Sequence, residues 1–196
     1  MSYAATKVMM IRHAEKPVAA VKKPPAPAYN GTDIFGDADK DSLIPQGWQR
    51  AGALNSLFSS SFGPLPVPQF LFAPNEFGNG TSKRPYETIT PLSEKLDLTI
   101  NAAQDPKAPG SYSKKDYAQM LTAATGCDGV VLICWEHGEI PSLANWLLGS
   151  KSAPKWPGDR FDIVWVFDLA SAGTSYTLNQ VPQLLLATDK PAPIPL

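Results

Sequence analysis

The stretch Lys7-Val8-Met9-Met10-Ile11 runs directly into Arg12-His13. A short, continuous apolar run of this kind reads as a strand buried on both faces. Such strands belong to parallel sheets covered by helices. A second run, Gly129-Val130-Val131-Leu132-Ile133-Cys134-Trp135, ends on Glu136-His137-Gly138. The chain has only two histidines, His13 and His137, and each follows the end of one of these runs. Ligands of open α/β sheets bind outside the carboxyl ends of the strands. The two histidines are therefore expected to converge over one crevice.

The remaining pattern alternates helices with strands. Pro45 opens a helix over residues 45–59, with Trp48, Ala51, Leu54, Leu57 and Phe58 at helical spacing. Residues 70–73 form a short strand, and 75–81 are a glycine- and asparagine-rich loop. Ser82 is read as the cap of a short helix starting near Arg84-Pro85, which Pro91 limits or kinks. Residues 96–101 suggest another strand. Ser113 is placed as the N-cap of a helix reaching Thr125, and Gly149 stops a helix over 141–148. Residues 161–169 form an apolar strand. Residues 175–178 and 184–187 are read as an antiparallel pair at the sheet edge. This order predicts one α/β domain over residues 1–196, a three-layer α/β/α sandwich with a mostly parallel central sheet and an antiparallel edge. Residues 17–45 form a long proline-rich loop expected to frame a site. Residues 188–196, with Pro191, Pro193 and Pro195, form an irregular tail.

Composition narrows the function classes. The chain of 196 residues carries 17 Lys plus Arg and 18 Asp plus Glu, a net charge of −1. That balance argues against a nucleic-acid footprint, which needs a basic excess or stripe. Two cysteines are too few for a disulfide scaffold or a thiolate metal site. No stretch approaches the ~18 apolar residues of a membrane span, and no h-region marks a signal peptide. With Cys134 read as a buried thiol, the expected location is cytoplasmic.

Arg12 offers a rigid fork of donors suited to phosphate or carboxylate. An imidazole beside such a site can attack phosphorus, abstract a proton or simply bind. Gly78-Asn79-Gly80 lacks the lysine and hydroxyl residue of a phosphate-binding P-loop. No cluster has metal-ligand spacing, so neither metal nor cofactor is expected.

Three motifs in order carry a resemblance. Ile11-Arg12-His13-Ala14-Glu15-Lys16 resembles the opening motif of the histidine phosphatase, or phosphoglycerate mutase-like, superfamily, with Ala14 where glycine is usual. Arg84-Pro85-Tyr86-Glu87-Thr88 resembles its second motif, and Glu136-His137-Gly138 its late His-Gly motif. Residues 43–51 resemble the segment that leads through Gly47 into a helix. The resemblance implies the phosphoglycerate mutase-like fold and metal-independent hydrolysis of a phosphomonoester. It implies His13 as the nucleophile that becomes phosphorylated, Arg12 and Arg84 as phosphate ligands, and His137 as a further phosphoryl contact. The general acid has no clear match. Glu139 and Glu136 lead, followed by Asp105, while Asp97 and Asp116 match poorly. Glu15 and Lys16 are read as solvent-facing at the mouth. The implied partner is a small phosphorylated substrate or a phosphoprotein, with no nucleic acid and no membrane. A phospho-ligand or protein-interaction module with weak or lost turnover is the alternative. A mutase ranks lower, because no extra substrate-binding segment is visible.

Overall fold

Strand β1 (Ala5–Arg12) lies inside a six-stranded sheet, as its apolar run requires. The computed structural model describes residues 3–17, 31–61, 63–74, 82–102 and 117–195. In chain order the other elements are α1 (Pro45–Phe58), β2 (Phe70–Phe72), α2 (Arg84–Leu96), β3 (Ile100–Asn101), α3 (Tyr117–Gly126), β4 (Gly129–Trp135), α4 (Ile140–Leu148), β5 (Ile163–Leu169) and β6 (Tyr176–Pro182). The sheet order is β3-β2-β4-β1-β5-β6. β3, β2, β4 and β1 run parallel to one another, whereas β5 pairs antiparallel with both β1 and β6.

Alternation along the strands splits the core in two. Val8 and Met10 of β1, Val131, Ile133 and Trp135 of β4, and Ile163, Trp165 and Phe167 of β5 face one layer with α3 and α4. Met9 and Ile11, Leu132 and Cys134, and Val164 and Val166 face the other, with Leu54, Leu57 and Phe58 of α1 and Ile89 and Leu92 of α2. Each fully buried side chain of this size contributes ~1.5–3 kcal/mol relative to exposure. The result is the three-layer α/β/α sandwich expected from the alternating pattern, with its antiparallel edge.

Several local expectations shift. α2 is longer than the short helix expected and runs through Pro91 to Leu96. Proline removes one intrahelical bond, but Ile89 and Leu92 are both fully buried against the sheet and hold the two halves in line. Ser82 does not cap this helix. Lys83 is the N-cap, and Ser82 Oγ instead accepts a hydrogen bond from Arg84 Nη1 at 3.1 Å. The strand expected over 96–101 shrinks to Ile100–Asn101, because Asp97 takes a left-handed cap at φ 54° and Leu98 N–H bonds Ser93 O at 3.0 Å. Residues 184–187 form no strand. Leu185 and Leu186 N–H donate to Asp189 Oδ2 at 2.8 and 3.1 Å, so these donors are lost to any ladder. β6 pairs along its length with β5 instead. The glycine-rich loop over 75–81, Asp105, Asp116 and the Ser113 cap lie outside the described residues, as does the 18–30 part of the long loop.

No helix of the described residues is long and apolar enough to cross a membrane. The tail from 188 to 195 has no helix or strand, yet it is tied down. Ile194 is buried, and its backbone exchanges hydrogen bonds with the Gln180 amide at 2.8 and 2.9 Å.

Candidate functional site

The parallel pairing of β1 with β4 sets Arg12 opposite Trp135. His13 N–H donates to Trp135 O at 3.0 Å, extending the ladder one residue past β1. His13 and the Glu136-His137 turn therefore emerge side by side at the same end of the sheet. There Glu136 O accepts from Ile140 N–H at 3.1 Å and starts α4.

His13 is 2% exposed, and its Nδ1 lies 2.7 Å from Ala14 O. A carbonyl only accepts, so Nδ1 carries the proton and Nε2 keeps its lone pair. Burial is the main cause that pushes the His13 pKa down to about 3. The bond to Ala14 O opposes the shift, and the charges of Arg12, Arg84 and Lys16 add to it. A base with a lowered pKa is neutral at every pH above it, so His13 is neutral throughout the physiological range. With two histidines in the chain, imidazole NMR can follow each. We expect His13 to stay a neutral Nδ1–H tautomer from pH 8 down to about pH 4. A midpoint near the ordinary value of 6.5 contradicts this environment.

Arg12 is 1% exposed. Its Nη1 donates to Gly158 O at 2.8 Å and Arg160 O at 3.0 Å, and its guanidinium lies 3.8 Å over the Phe161 ring. The other edge differs. Nε and Nη2 are buried with no protein partner among the described residues, and so is His137 Nδ1. Buried donors are almost always satisfied, so such orphans call for an acceptor. Burial lowers the Arg12 pKa to about 10, with Glu15 the first of the carboxylates opposing it. That still leaves Arg12 charged at neutral pH.

Arg84 opens α2 and is held from behind. Its Nε donates to Ser42 O at 3.3 Å, Nη1 to Ser82 Oγ and Nη2 to Lys40 O at 2.8 Å. Residues 40–42 of the long loop thus seat this arginine. Burial lowers its pKa, opposed by Asp41, Glu87 and Glu136. One turn on, Thr88 Oγ1 accepts from Ala14 N–H at 2.8 Å and donates to Arg84 O at 2.7 Å. This hydroxyl joins the turn after His13 to α2. Glu87 accepts from Ser42 Oγ at 2.5 Å and Leu43 N–H at 2.9 Å, fixing the loop that carries the Arg84 acceptors.

The carboxylates sort by their electrostatic reach. Glu136 opposes the shifts of Arg12, Arg84, Lys16 and His137. Glu139 is the N-cap residue of α4, and its backbone oxygen takes the helix's first bonds. Asp97 caps α2 at the end opposite Arg84, ~20 Å away at 1.5 Å per residue. Glu15 is not solvent-facing as expected. It is 8% exposed and receives Arg50 Nε at 3.0 Å and Nη2 at 2.7 Å. Arg50 also grips Asp189 through Nη1 at 3.0 Å and Nη2 at 2.6 Å, and Gln183 at 2.9 Å, which uses all five of its donors. Gly47 lets α1 pack under this turn, where a Cβ would stand 2.5 Å from Glu15 O.

One segment of the site escapes the sequence reading. Residues 156–162 wrap Arg12 through two carbonyls and Phe161, whose ring centroid is also 6.0 Å from that of His13. The Pro157-Gly158 turn ahead of an apolar strand is the only sequence signal for this segment. Lys16, read from the sequence as solvent-facing at the mouth, is half-buried, and its charge acts on His13 and His137. Trp135 and Trp48 do not line the site. Trp135 is fully buried in the core, and Trp48 Nε1 bonds Thr32 O at 2.8 Å. Among the described residues, no group of three or more His, Cys, Asp or Glu stands together as a metal cluster.

No protein-family model matches the sequence, and no curated protein matches it. Solved structures do. The chain is similar to mycobacterial glucosyl-3-phosphoglycerate phosphatase complexed with VO3, at 16% identity and TM-score 0.50, covering 89% of this chain and 97% of that one. It is similar to Bacillus anthracis phosphoglycerate mutase at 14% identity and TM-score 0.51, over 90% and 92%. It is also similar to a mutant Entamoeba histolytica phosphoserine phosphatase in complex with phosphoserine, at 12% and 0.50, over 88% and 94%. At these identities the shared property is the fold.

Proposed function

We propose that this chain, which has the fold shared by histidine phosphatases and phosphoglycerate mutases, hydrolyses small phosphomonoesters through a phosphohistidine at His13. The observation that carries the reading is the unpaired inner edge of Arg12. Nε and Nη2 form a two-donor fork, buried and unsatisfied, beside a neutral histidine. A phosphoryl group supplies the acceptors that this edge lacks.

The chemistry follows from the donors present. Arg12, Arg84 and His137 hold the non-bridging oxygens and stabilise their charge in the transition state. The Nε2 lone pair of His13 attacks phosphorus in line with the ester oxygen. The N–P bond forms as the P–O bond breaks. Ala14 O keeps the imidazole oriented and stabilises the positive charge that the ring acquires. The departing oxygen takes a proton from Glu136, which then removes one from water. Water attacks phosphorus, the N–P bond breaks, and inorganic phosphate leaves with His13 neutral again. Two guanidiniums supply the charge that a metal provides in other phosphatases. Glu136 is preferred to Glu139 as the acid for its nearness to the site, since its charge acts on Arg12, Arg84, Lys16 and His137.

Leaving-group dependence tests this assignment. In excess EDTA the parent is expected to hydrolyse both 4-nitrophenyl and phenyl phosphate. Glu136→Gln is expected to lower kcat/KM for phenyl phosphate by about 10²-fold or more. For 4-nitrophenyl phosphate, whose leaving group needs little protonation, the loss is expected to stay under about tenfold. Equal losses on both esters remove Glu136 from the role of acid. Loss of turnover in EDTA removes the metal-independent mechanism.

A further inference from the structure

The Arg12 guanidinium is anchored through one nitrogen. Nη1 donates to Gly158 O at 2.8 Å and to Arg160 O at 3.0 Å. Two bonds at one corner still allow the plane of the group to tilt about that corner. A further restraint comes from Phe161, whose ring centroid lies 3.8 Å from Arg12 Cζ. That is a stacking distance for a planar guanidinium. Phe161 lies outside all three sequence motifs, on a segment that is itself locked. Trp156 Nε1 donates to Arg160 O at 2.9 Å, Arg160 Nε to Asp162 Oδ1 at 2.6 Å, and Arg160 Nη2 to Ala192 O at 2.8 Å. The ring is therefore a fixed platform under Arg12.

An aromatic face attracts a cation through its quadrupole and takes none of the donors in the guanidinium plane. A guanidinium stacked on a ring points all five N–H groups outward in its own plane. With the Nη1 corner fixed on two carbonyls, the Nε and Nη2 edge is turned away from them. That edge is the one left buried without a protein partner among the described residues. A carboxylate in place of the ring would pair with this edge and cancel its charge. An aliphatic side chain would leave the tilt of the plane unset. From this geometry we infer that Phe161 is a positioning residue, which sets the plane of Arg12 so that the Nε–Nη2 fork meets the phosphoryl oxygens. This rests on the phosphomonoesterase reading and deepens it.

Calorimetric titration with inorganic phosphate reads the fork without turnover, and the dissociation constant is insensitive to the fraction of folded protein. Phe161→Leu and Phe161→Met keep an apolar side chain but remove the aromatic face. Each is expected to weaken phosphate binding by about tenfold. The kcat/KM for 4-nitrophenyl phosphate is expected to fall at least as far, because the same fork holds the oxygens in the transition state. Phe161→Tyr restores the face, and the ring borders a cavity of about 210 Å³ that has room for a hydroxyl. This variant is expected to stay within about threefold of the parent in both measurements. Aliphatic variants that match the parent within about twofold in both overturn the role of Phe161 and leave the phosphatase reading intact. A folded Phe161→Tyr as impaired as the aliphatic variants does the same, since the aromatic face alone then restores nothing. A parent that neither binds phosphate nor hydrolyses the ester above the level of His13→Ala overturns the phosphatase reading and the inference together.

Discussion

His13→Ala is expected to lower the hydrolysis of aryl phosphates by about 10⁴-fold or more, the scale seen when a nucleophile is removed from a covalent mechanism. The argument rests on the surroundings of the ring. Its Nδ1 is committed to Ala14 O at 2.7 Å, which leaves Nε2 as the reactive atom. Burial beside two guanidiniums keeps that atom unprotonated, so no proton has to be removed before attack. The parent is expected to yield, on rapid quench, a phosphoenzyme that is labile in acid and stable in alkali, as a P–N bond is. The variant is expected to yield none. Arg12 and Arg84 remain in it, so inorganic phosphate is still expected to raise its thermal midpoint. A variant that turns over at the parent's rate, or that still forms the same phosphoenzyme, rules out His13 as the nucleophile.

Arg50→Met is expected to be the most destabilising single change in the described part of the molecule. Arg50 is 2% exposed and forms two-pronged pairs with Glu15 and Asp189. Removing it leaves two carboxylates in the interior without their cation. Breaking a buried pair in this way costs about 3–5 kcal/mol, which corresponds to a fall of about 10 °C in Tm for a chain of this size. The pH dependence has a definite sign. Burial opposes ionisation of Asp189, but hydrogen bonds from Arg50 and from Leu186 and Leu185 N–H outweigh it, and the pKa is lowered from 3.8. A carboxyl with a depressed folded pKa stabilises the fold above its unfolded pKa, and that contribution is lost as pH falls through the folded value. The gap in stability between parent and variant is therefore widest near neutrality and narrows below about pH 4. Equal midpoints by thermal or urea unfolding at pH 7 show that the network contributes nothing.

The sequence exposes those parts of the site whose signals are local. β1 and β4 read as buried strands because their apolar runs end abruptly on charged or polar residues. Arg12, His13 and His137 are therefore legible as the residues that follow those runs. Arg84 and Thr88 share one helical turn and were found as a unit. The Arg50 network was not legible, because its partners lie 35 and 139 positions away and a long-range ion pair has no local pattern. Glu15 reads as solvent-facing for the same reason, although the structure buries it. Residues 156–162 act on Arg12 partly through carbonyl oxygens, which every residue possesses. The straight course of α2 past Pro91 and the arrest of the chain at Leu185 and Leu186 depend on partners that propensity does not register.

The reversed direction of β5 has a consequence for the wall of the site. Ile11 of β1 lies opposite Val164 of β5, so the chain enters β5 at the rim where β1 and β4 leave the sheet. A parallel strand in the same position would have sent residues 156–162 to the far rim, with Gly158, Arg160 and Phe161 on it. The border of the candidate site thus combines segments departing from β1 and β4 with one arriving at β5. Between Leu148 and residue 156, a stretch without helix or strand spans the gap. Changes in its length would raise or lower that wall while leaving the register of every strand as it is.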